Sequence, residues 1–112
     1  MRPLKPLTPA VLHILMVLSQ QDRHGYAVMQ AVREQSGGQV PLRTGTFYRH
    51  LSQLIAVGLV EESPDHHPDD DPRRGAYYRV TARGRRRLVA EGRRLAELVA
   101  AIGASASRKG HA

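Results

Sequence analysis

The stretch Thr44-Gly45-Thr46-Phe47-Tyr48-Arg49-His50-Leu51-Ser52-Gln53-Leu54-Ile55-Ala56-Val57-Gly58 decides the fold. Phe47, Leu51, Leu54 and Ile55 recur at spacings of four, three and one, so a helix gathers them on one face. Thr44 can cap that helix, and Gly58 supplies a left-handed stop. The opposite face carries Thr46, Arg49, Ser52, Gln53 and Ala56, with Tyr48 at the flank. It is built mostly of hydrogen-bonding groups, and its one charge is an arginine. A helix anchored by its apolar side and presenting such a face fits the major groove of duplex DNA. A helix merely facing water shows the same periodicity, so the flanking sequence has to separate the two.

Upstream, Val40-Pro41-Leu42-Arg43 reads as extended, because proline biases its neighbour away from helix. Val28, Met29, Ala31 and Val32 return at helical spacing before Ser36-Gly37-Gly38, which predicts a helix near residues 24–36. Thr8-Pro9 opens a first helix, with threonine as cap and proline in the first turn. Its residues Val11, Leu12, Ile14, Leu15, Met16, Val17 and Leu18 are apolar nearly all round. Such a helix is buried on more than one side, and in a small chain the second cover is another subunit.

Downstream, residues 59–63 and 76–81 have strand character and predict a hairpin. The loop between them, residues 64–75, holds three Pro, four Asp, two His, two Arg and one Gly, with nothing to bury in a core. Thr81 can cap a last long helix, from Ala82 to about Ile102. Leu88, Leu95 and Ile102 recur there every seven residues, and Leu98 adds the intermediate position. One helix offers another such a seam. Glu91 takes the remaining seam position and Gly92 weakens the middle, so a sustained coiled coil is not expected. Residues 104–112 read as a disordered, basic tail.

The 112 residues suffice for one domain. Lys and Arg number 17 against 10 Asp and Glu, a net charge of +7, which favours an anionic partner. Residues 1–60 carry six cations and two acids, residues 61–75 two and six, and residues 76–112 nine and two, so the surplus is split between the two ends. Four Tyr, one Phe and no Trp are too few for a platform that stacks unpaired bases. The absence of Cys removes disulfide frameworks, thiolate metal centres and thiol nucleophiles. Arg2, Lys5 and the apolar run at residues 10–18 loosely imitate a secretory signal, but His13 interrupts the run and no cleavage site follows. With no stretch near the roughly 20 apolar residues of a membrane span, a cytoplasmic protein with no membrane partner is expected.

Asp65-His66-His67 with Asp69-Asp70-Asp71 has metal-binding residue types, but adjacent residues on a proline-broken loop are not pre-arranged for a coordination geometry. No metal site and no cofactor are expected. Neither His13 nor His24 has a carboxylate or nucleophile partner at helical spacing, and no phosphate loop or nucleophile elbow is present. The sequence therefore offers no catalytic constellation. Arg83, Arg85, Arg86 and Arg87 crowd the start of the last helix, where the dipole prefers acids. They read either as a solvated charge run or as a contact for phosphate or another anion.

His24-Gly25-Tyr26, Gly45-Thr46-Phe47-Tyr48 with Leu51 and Leu54, Gly58-Leu59-Val60, Arg73-Arg74, Tyr77-Tyr78-Arg79-Val80-Thr81 and Gly84-Arg85, in that order and spacing, resemble the PadR family of bacterial transcriptional regulators. The resemblance runs from about Leu12 to Leu98. It implies a homodimer that binds an operator and usually represses. By the same resemblance Tyr26, Thr44, Thr46, Tyr48, Arg49 and Gln53 face DNA, and Arg73 and Arg74 touch phosphate or the minor groove. It also implies that the last helix packs on its partner, with Leu12, Leu15, Leu88, Leu95, Leu98 and Ile102 at the interface. Members often carry proline after the tyrosine of the third helix, where this chain has Arg49, so its base contacts differ. Asp69-Asp70-Asp71 would repel phosphate, which leaves the Arg73-Arg74 end of the loop to approach DNA. The single terminal helix is similar to the compact branch of the family. Some compact members stack flat aromatic drugs between tryptophans, a site that a chain without Trp lacks, and any small-molecule effector is left unspecified.

The expected architecture is therefore mainly α with a small β-hairpin. A winged helix-turn-helix spans residues 1–81, a dimerisation helix 82–103 and a tail 104–112. Its partners are double-stranded DNA and a second copy of itself. The rival is a winged-helix module that contacts proteins and owes its basic surface to solubility alone.

Overall fold

A computed structural model describes residues 5–63 and 75–109. The element order is α1 (Pro9–Gln20), β1 (Arg23–His24), α2 (Gly25–Gln35), α3 (Thr44–Ala56), β2 (Val60–Ser63), β3 (Tyr77–Val80) and α4 (Ala82–Lys109). Thr8 caps α1 as its sequence predicts, accepting a hydrogen bond from the Val11 N–H at 3.3 Å. Ile14, Leu15, Val17 and Leu18 are enclosed within the chain, each worth about 1.5–3 kcal/mol of hydrophobic stabilisation. Leu15, expected at a subunit interface, thus belongs to the core, because α1 is covered on that side by the same chain.

The break at His24-Gly25-Tyr26 has a local cause. His24 ends a short strand and caps α2, its Nδ1 accepting from the Ala27 N–H at 3.3 Å. At the other end Gly37 and Gly38 take φ values of 60° and 79°, and the Gly38 N–H reaches the Arg33 carbonyl at 3.0 Å. Thr44 departs from expectation. It is the first residue of α3, Arg43 holds the cap position, and no side chain caps the helix. Phe47, Leu51 and Leu54 are buried, whereas Ile55, expected beside them, is exposed because the core ends short of it.

The expected hairpin is a three-stranded antiparallel sheet in the order β1-β3-β2. Val60 pairs with Val80 and Glu61 with Arg79, whose Nε lies 2.8 Å from the Glu61 carboxylate. On the other side of β3, Arg23 pairs with Tyr78 and His24 with Tyr77, and the His24 and Tyr77 rings meet edge to face at 5.7 Å. Two residues of β1 are too few for any alternation to betray the strand in sequence.

Thr81 joins the sheet to α4, donating to the Gly58 carbonyl at 2.7 Å and accepting from the Gly84 N–H at 3.0 Å. Gly84 sits so close to the α3–β2 turn that a Cβ there would lie 2.2 Å from the Leu59 carbonyl oxygen. α4 runs 28 residues, about 42 Å at the usual rise, and continues to Lys109. Residues 104–109 are helical where a tail is predicted, because nothing in Gly103-Ala104-Ser105-Ala106-Ser107-Arg108 stops an established helix. The radius of gyration of 16.8 Å exceeds the roughly 13 Å of a compact chain of this length.

Glu91 is the other surprise in α4. It is only 2 % exposed, with Oε2 accepting from the Leu7 N–H at 2.7 Å and Oε1 from Arg94 Nε at 2.7 Å. These bonds, the Arg94 contact above all, hold its pKa down to about 2. Glu91 thus ties the segment before α1 to α4, and the Arg87 guanidinium adds a bond to the Lys5 carbonyl.

Candidate nucleic-acid interface

The outward face of α3 is set by its inward one. Phe47, Leu51 and Leu54 lock the helix on the core, so Thr44, Tyr48, Arg49, Ser52 and Gln53 stand exposed, with Thr46 half-buried. No acid lies on α3; Arg49 is exposed on it, and Arg43 is exposed at its cap position. With no side-chain cap, the first N–H groups of the helix also point outward unclaimed by any described side chain, beside Arg43.

Two tyrosines flank this face, with Tyr26 59 % and Tyr48 42 % exposed. The Tyr48 ring packs edge to face on Phe47 at 5.0 Å. Its hydroxyl lies over α2, where a Cβ on Gly25 would come within 2.6 Å of it. Glycine at position 25 therefore lets Tyr48 lie down against α2, next to the residue that bears Tyr26. Burial pushes the Tyr78 phenol above its ordinary pKa, and Glu62 and Tyr48 add to the effect. Tyr78 of the central strand thus shares its surroundings with Tyr48 of α3.

Thr44, Tyr48, Arg49 and Gln53 of α3 and Tyr26 of α2 are exposed and Thr46 is half-buried, and the Tyr48 hydroxyl lies beside Gly25, the neighbour of Tyr26. Arg73 and Arg74 lie outside the described residues, as do Asp65, His66, His67 and residues 69–71. Arg23 is a residue that the sequence did not single out. It stands opposite Tyr78 in the sheet, and its Nε is buried with no hydrogen-bond partner among the described residues. Its setting in Gln20-Gln21-Asp22-Arg23 reads as loop, so only the β1–β3 pairing reveals it.

The residues assigned to a dimer divide by depth. Leu15 is core; Leu12, Leu88 and Leu95 are half-buried; Leu98 and Ile102 are exposed. Ile102 is 68 % exposed, and Val99, which a strict seven-residue seam omits, is 69 % exposed. Its spacing, four after Leu95 and three before Ile102, is the signal that would have found it. Among the described residues no cluster of metal-ligating side chains occurs, and no helix is long and apolar enough to cross a membrane.

Several solved structures share this architecture. A PadR family transcription regulator from Clostridium difficile R20291 superposes with a TM-score of 0.71 at 20% identity, covering 86% of this chain and 96% of its own. The smu.1704 protein from Streptococcus mutans UA159 gives 0.70 at 22% identity, covering 92% of each chain. RosR from H. salinarum gives 0.61 at 28% identity, covering 89% of this chain and 96% of its own. None of the curated proteins matches this sequence. Residues 14–90, from the middle of α1 to the first turns of α4, match the model of the Transcriptional regulator PadR-like family. With that match spanning most of the chain, this protein is a member of the PadR-like family of transcriptional regulators.

Proposed function

We propose that two copies of the chain bind operator DNA with specificity for its sequence and repress transcription from it. The observation that carries this reading is the acid-free outer face of α3, with Arg49 and Gln53 exposed on a helix that Phe47, Leu51 and Leu54 hold in place. In the major groove Arg49 can bond guanine bidentately and Gln53 adenine, while Thr44, Thr46 and Tyr48 reach neighbouring base edges or phosphate. Tyr26 on α2 contacts the backbone, and Arg73 and Arg74 follow phosphate or the minor groove beside it. A single reading helix makes few base contacts, so a two-fold pair that reads half-sites one or more helical turns apart is the expected solution.

Leu98, Val99 and Ile102 on the far half of α4, together with the half-buried Leu95, Leu88 and Leu12, are the surface for the second copy. No catalytic step belongs to this reading, and its setting is the cytoplasm, alongside the DNA.

Selection of bound sequences from a random duplex pool tests the proposal, followed by anisotropy titrations at several salt concentrations. We expect a palindromic or near-palindromic consensus and an affinity that falls steeply with salt, as neutralised phosphates release counterions. Failure to enrich any sequence over bulk DNA would sink it and favour the protein-contact rival.

A further inference from the structure

Arg23 is half-buried, and its buried Nε has no hydrogen-bond partner. The other half-buried arginines among the described residues are all engaged: Arg79 bonds Glu61, Arg87 the Lys5 carbonyl and Arg94 Glu91. Leaving such an N–H buried and unpaired costs the fold stability. Neither nearby acid relieves it. Asp22 is exposed, and Glu62 stands on β2, two strand spacings or roughly 10 Å from β1 across the intervening β3. Arg23 is thus a cation that the described part of the chain leaves unanswered.

Two routes place it next to the outward side of α3. Across the sheet, directly opposed residues of an antiparallel pair point to the same side, so Arg23 lies beside Tyr78. Tyr78 in turn lies near enough to Tyr48 for that phenol to raise its pKa. Along the chain, Arg23 comes two residues before Gly25, against which the Tyr48 hydroxyl rests, and three before the exposed Tyr26. Arg23 stands on the strand that leads into α2, not on α3. In a helix-turn-helix the helix before the reading helix crosses the DNA backbone, so the acceptor within reach there is a phosphate oxygen and not a base edge.

We propose that Arg23 bonds a backbone phosphate of the bound duplex, beside Tyr26 and Tyr48, and anchors the α2 side of the module on the DNA. The phosphate supplies the acceptor that the chain withholds, in a charge-assisted bond suited to a guanidinium. This assignment rests on the reading of α3 as a DNA-binding helix. A phosphate contact carries no base preference, so Arg23 contributes affinity and register while Arg49 and Gln53 choose the sequence.

Anisotropy titrations of the full chain over a range of salt test this, with the duplex enriched from the random pool and a scrambled duplex of the same length as probes. Arg23→Gln should weaken both by a similar factor, roughly fivefold to tenfold for each bound copy at about 0.1 M salt, and flatten the salt slope by about one per copy. Arg23→Lys, which keeps the charge, should retain the slope. Arg33→Gln removes an exposed cation about 12 Å further along α2, beyond the screening length, and should change affinity by less than about twofold. Because the Arg23 Nε has no hydrogen bond to lose in the free protein, Arg23→Gln should melt no lower than the parent by circular dichroism. A variant that melts well below the parent would make Arg23 a support for Tyr78 and overturn the proposal. Unchanged affinity and slope, a loss confined to the enriched duplex, or an equal loss in Arg33→Gln would overturn it too, and each would leave the reading of α3 standing. No binding of either duplex by the unaltered chain would overturn both.

Discussion

Helices α3 and α4 both leave one face uncovered by their own chain, and the two faces have opposite chemistry. On α3 the free side is short and polar, with Thr44, Arg49, Ser52 and Gln53 over a buried aromatic and two leucines. Water satisfies such groups in the free protein, and base or phosphate edges would satisfy them in the proposed complex, so exposure costs the free protein little. On the far half of α4 the free side is Leu98, Val99 and Ile102, with Leu95 beneath. Contiguous apolar surface of this kind is an interaction site or a liability. The difference teaches that one face suits an occasional, hydrated partner and the other a standing apolar one, the place we propose for a second copy of the chain.

The hardest way to break that contrast is to charge the apolar face. Leu98→Asp with Ile102→Asp places carboxylates where an apolar seam would close. Both positions are exposed in one chain, so its fold should survive. We expect light scattering to report monomers and operator affinity to fall by more than about 100-fold, since each copy then reads a single half-site. A dimer that persists in light scattering would move the interface elsewhere and leave the α4 stripe without its assigned role.

How much of this was legible beforehand follows from where the signal was periodic. Phe47, Leu51 and Leu54 recur at helical spacing, and Thr8, Thr81 and Gly58 have side-chain or backbone preferences that mark helix ends by themselves, so α1, α3 and α4 begin or stop close to where they should. What the sequence concealed depends on distant partners. β1 is two residues whose strand character exists only through pairing with Tyr77 and Tyr78. Glu91 looked like a flaw in a leucine seam, because one of its partners, beside Arg94, is a backbone N–H at Leu7, 84 residues away. Leu15 and Leu12 are equally apolar on the page, and only the crossing of α1 with α2 and the sheet decides which is sealed in. At the site, Arg49 and Gln53 were visible as polar members of an amphipathic helix, whereas the seat of Tyr48 over Gly25 needed the α2–α3 packing.

On the polar face the corresponding test is narrower. Arg49→Ala removes the side chain of an exposed residue, so folding should be indifferent. Operator affinity should drop by about 1–3 kcal/mol, roughly fivefold to 150-fold, with discrimination relaxed at one base position per half-site. A loss of similar size on every DNA sequence, accompanied by a shallower salt slope, would instead make Arg49 a phosphate contact. Oligomeric state should not move, which is the sense in which the two faces are separable.

The smallest effect sits where the covered half of α4 meets the uncovered half. Glu91 has its pKa lowered from 4.5 to about 2, chiefly by the Arg94 hydrogen bonds, with the Leu7 N–H assisting against the cost of burial. A carboxylate whose pKa is depressed by folding contributes stability that is complete above the unfolded value. That contribution is lost as pH falls from 4.5 towards 2. Glu91→Gln keeps an acceptor for Leu7 but cannot hold Arg94 as an ion pair, and it does not titrate. Thermal melts of both proteins should therefore show the variant less stable at pH 7, with the gap closing as pH drops through that window. Parallel curves would mean that Arg94 and Leu7 are held by other contacts and that Glu91 is a passenger. A closing gap would show that the segment before α1 is fastened to α4 by charge, while the apolar stripe a few residues further along is left free for its partner.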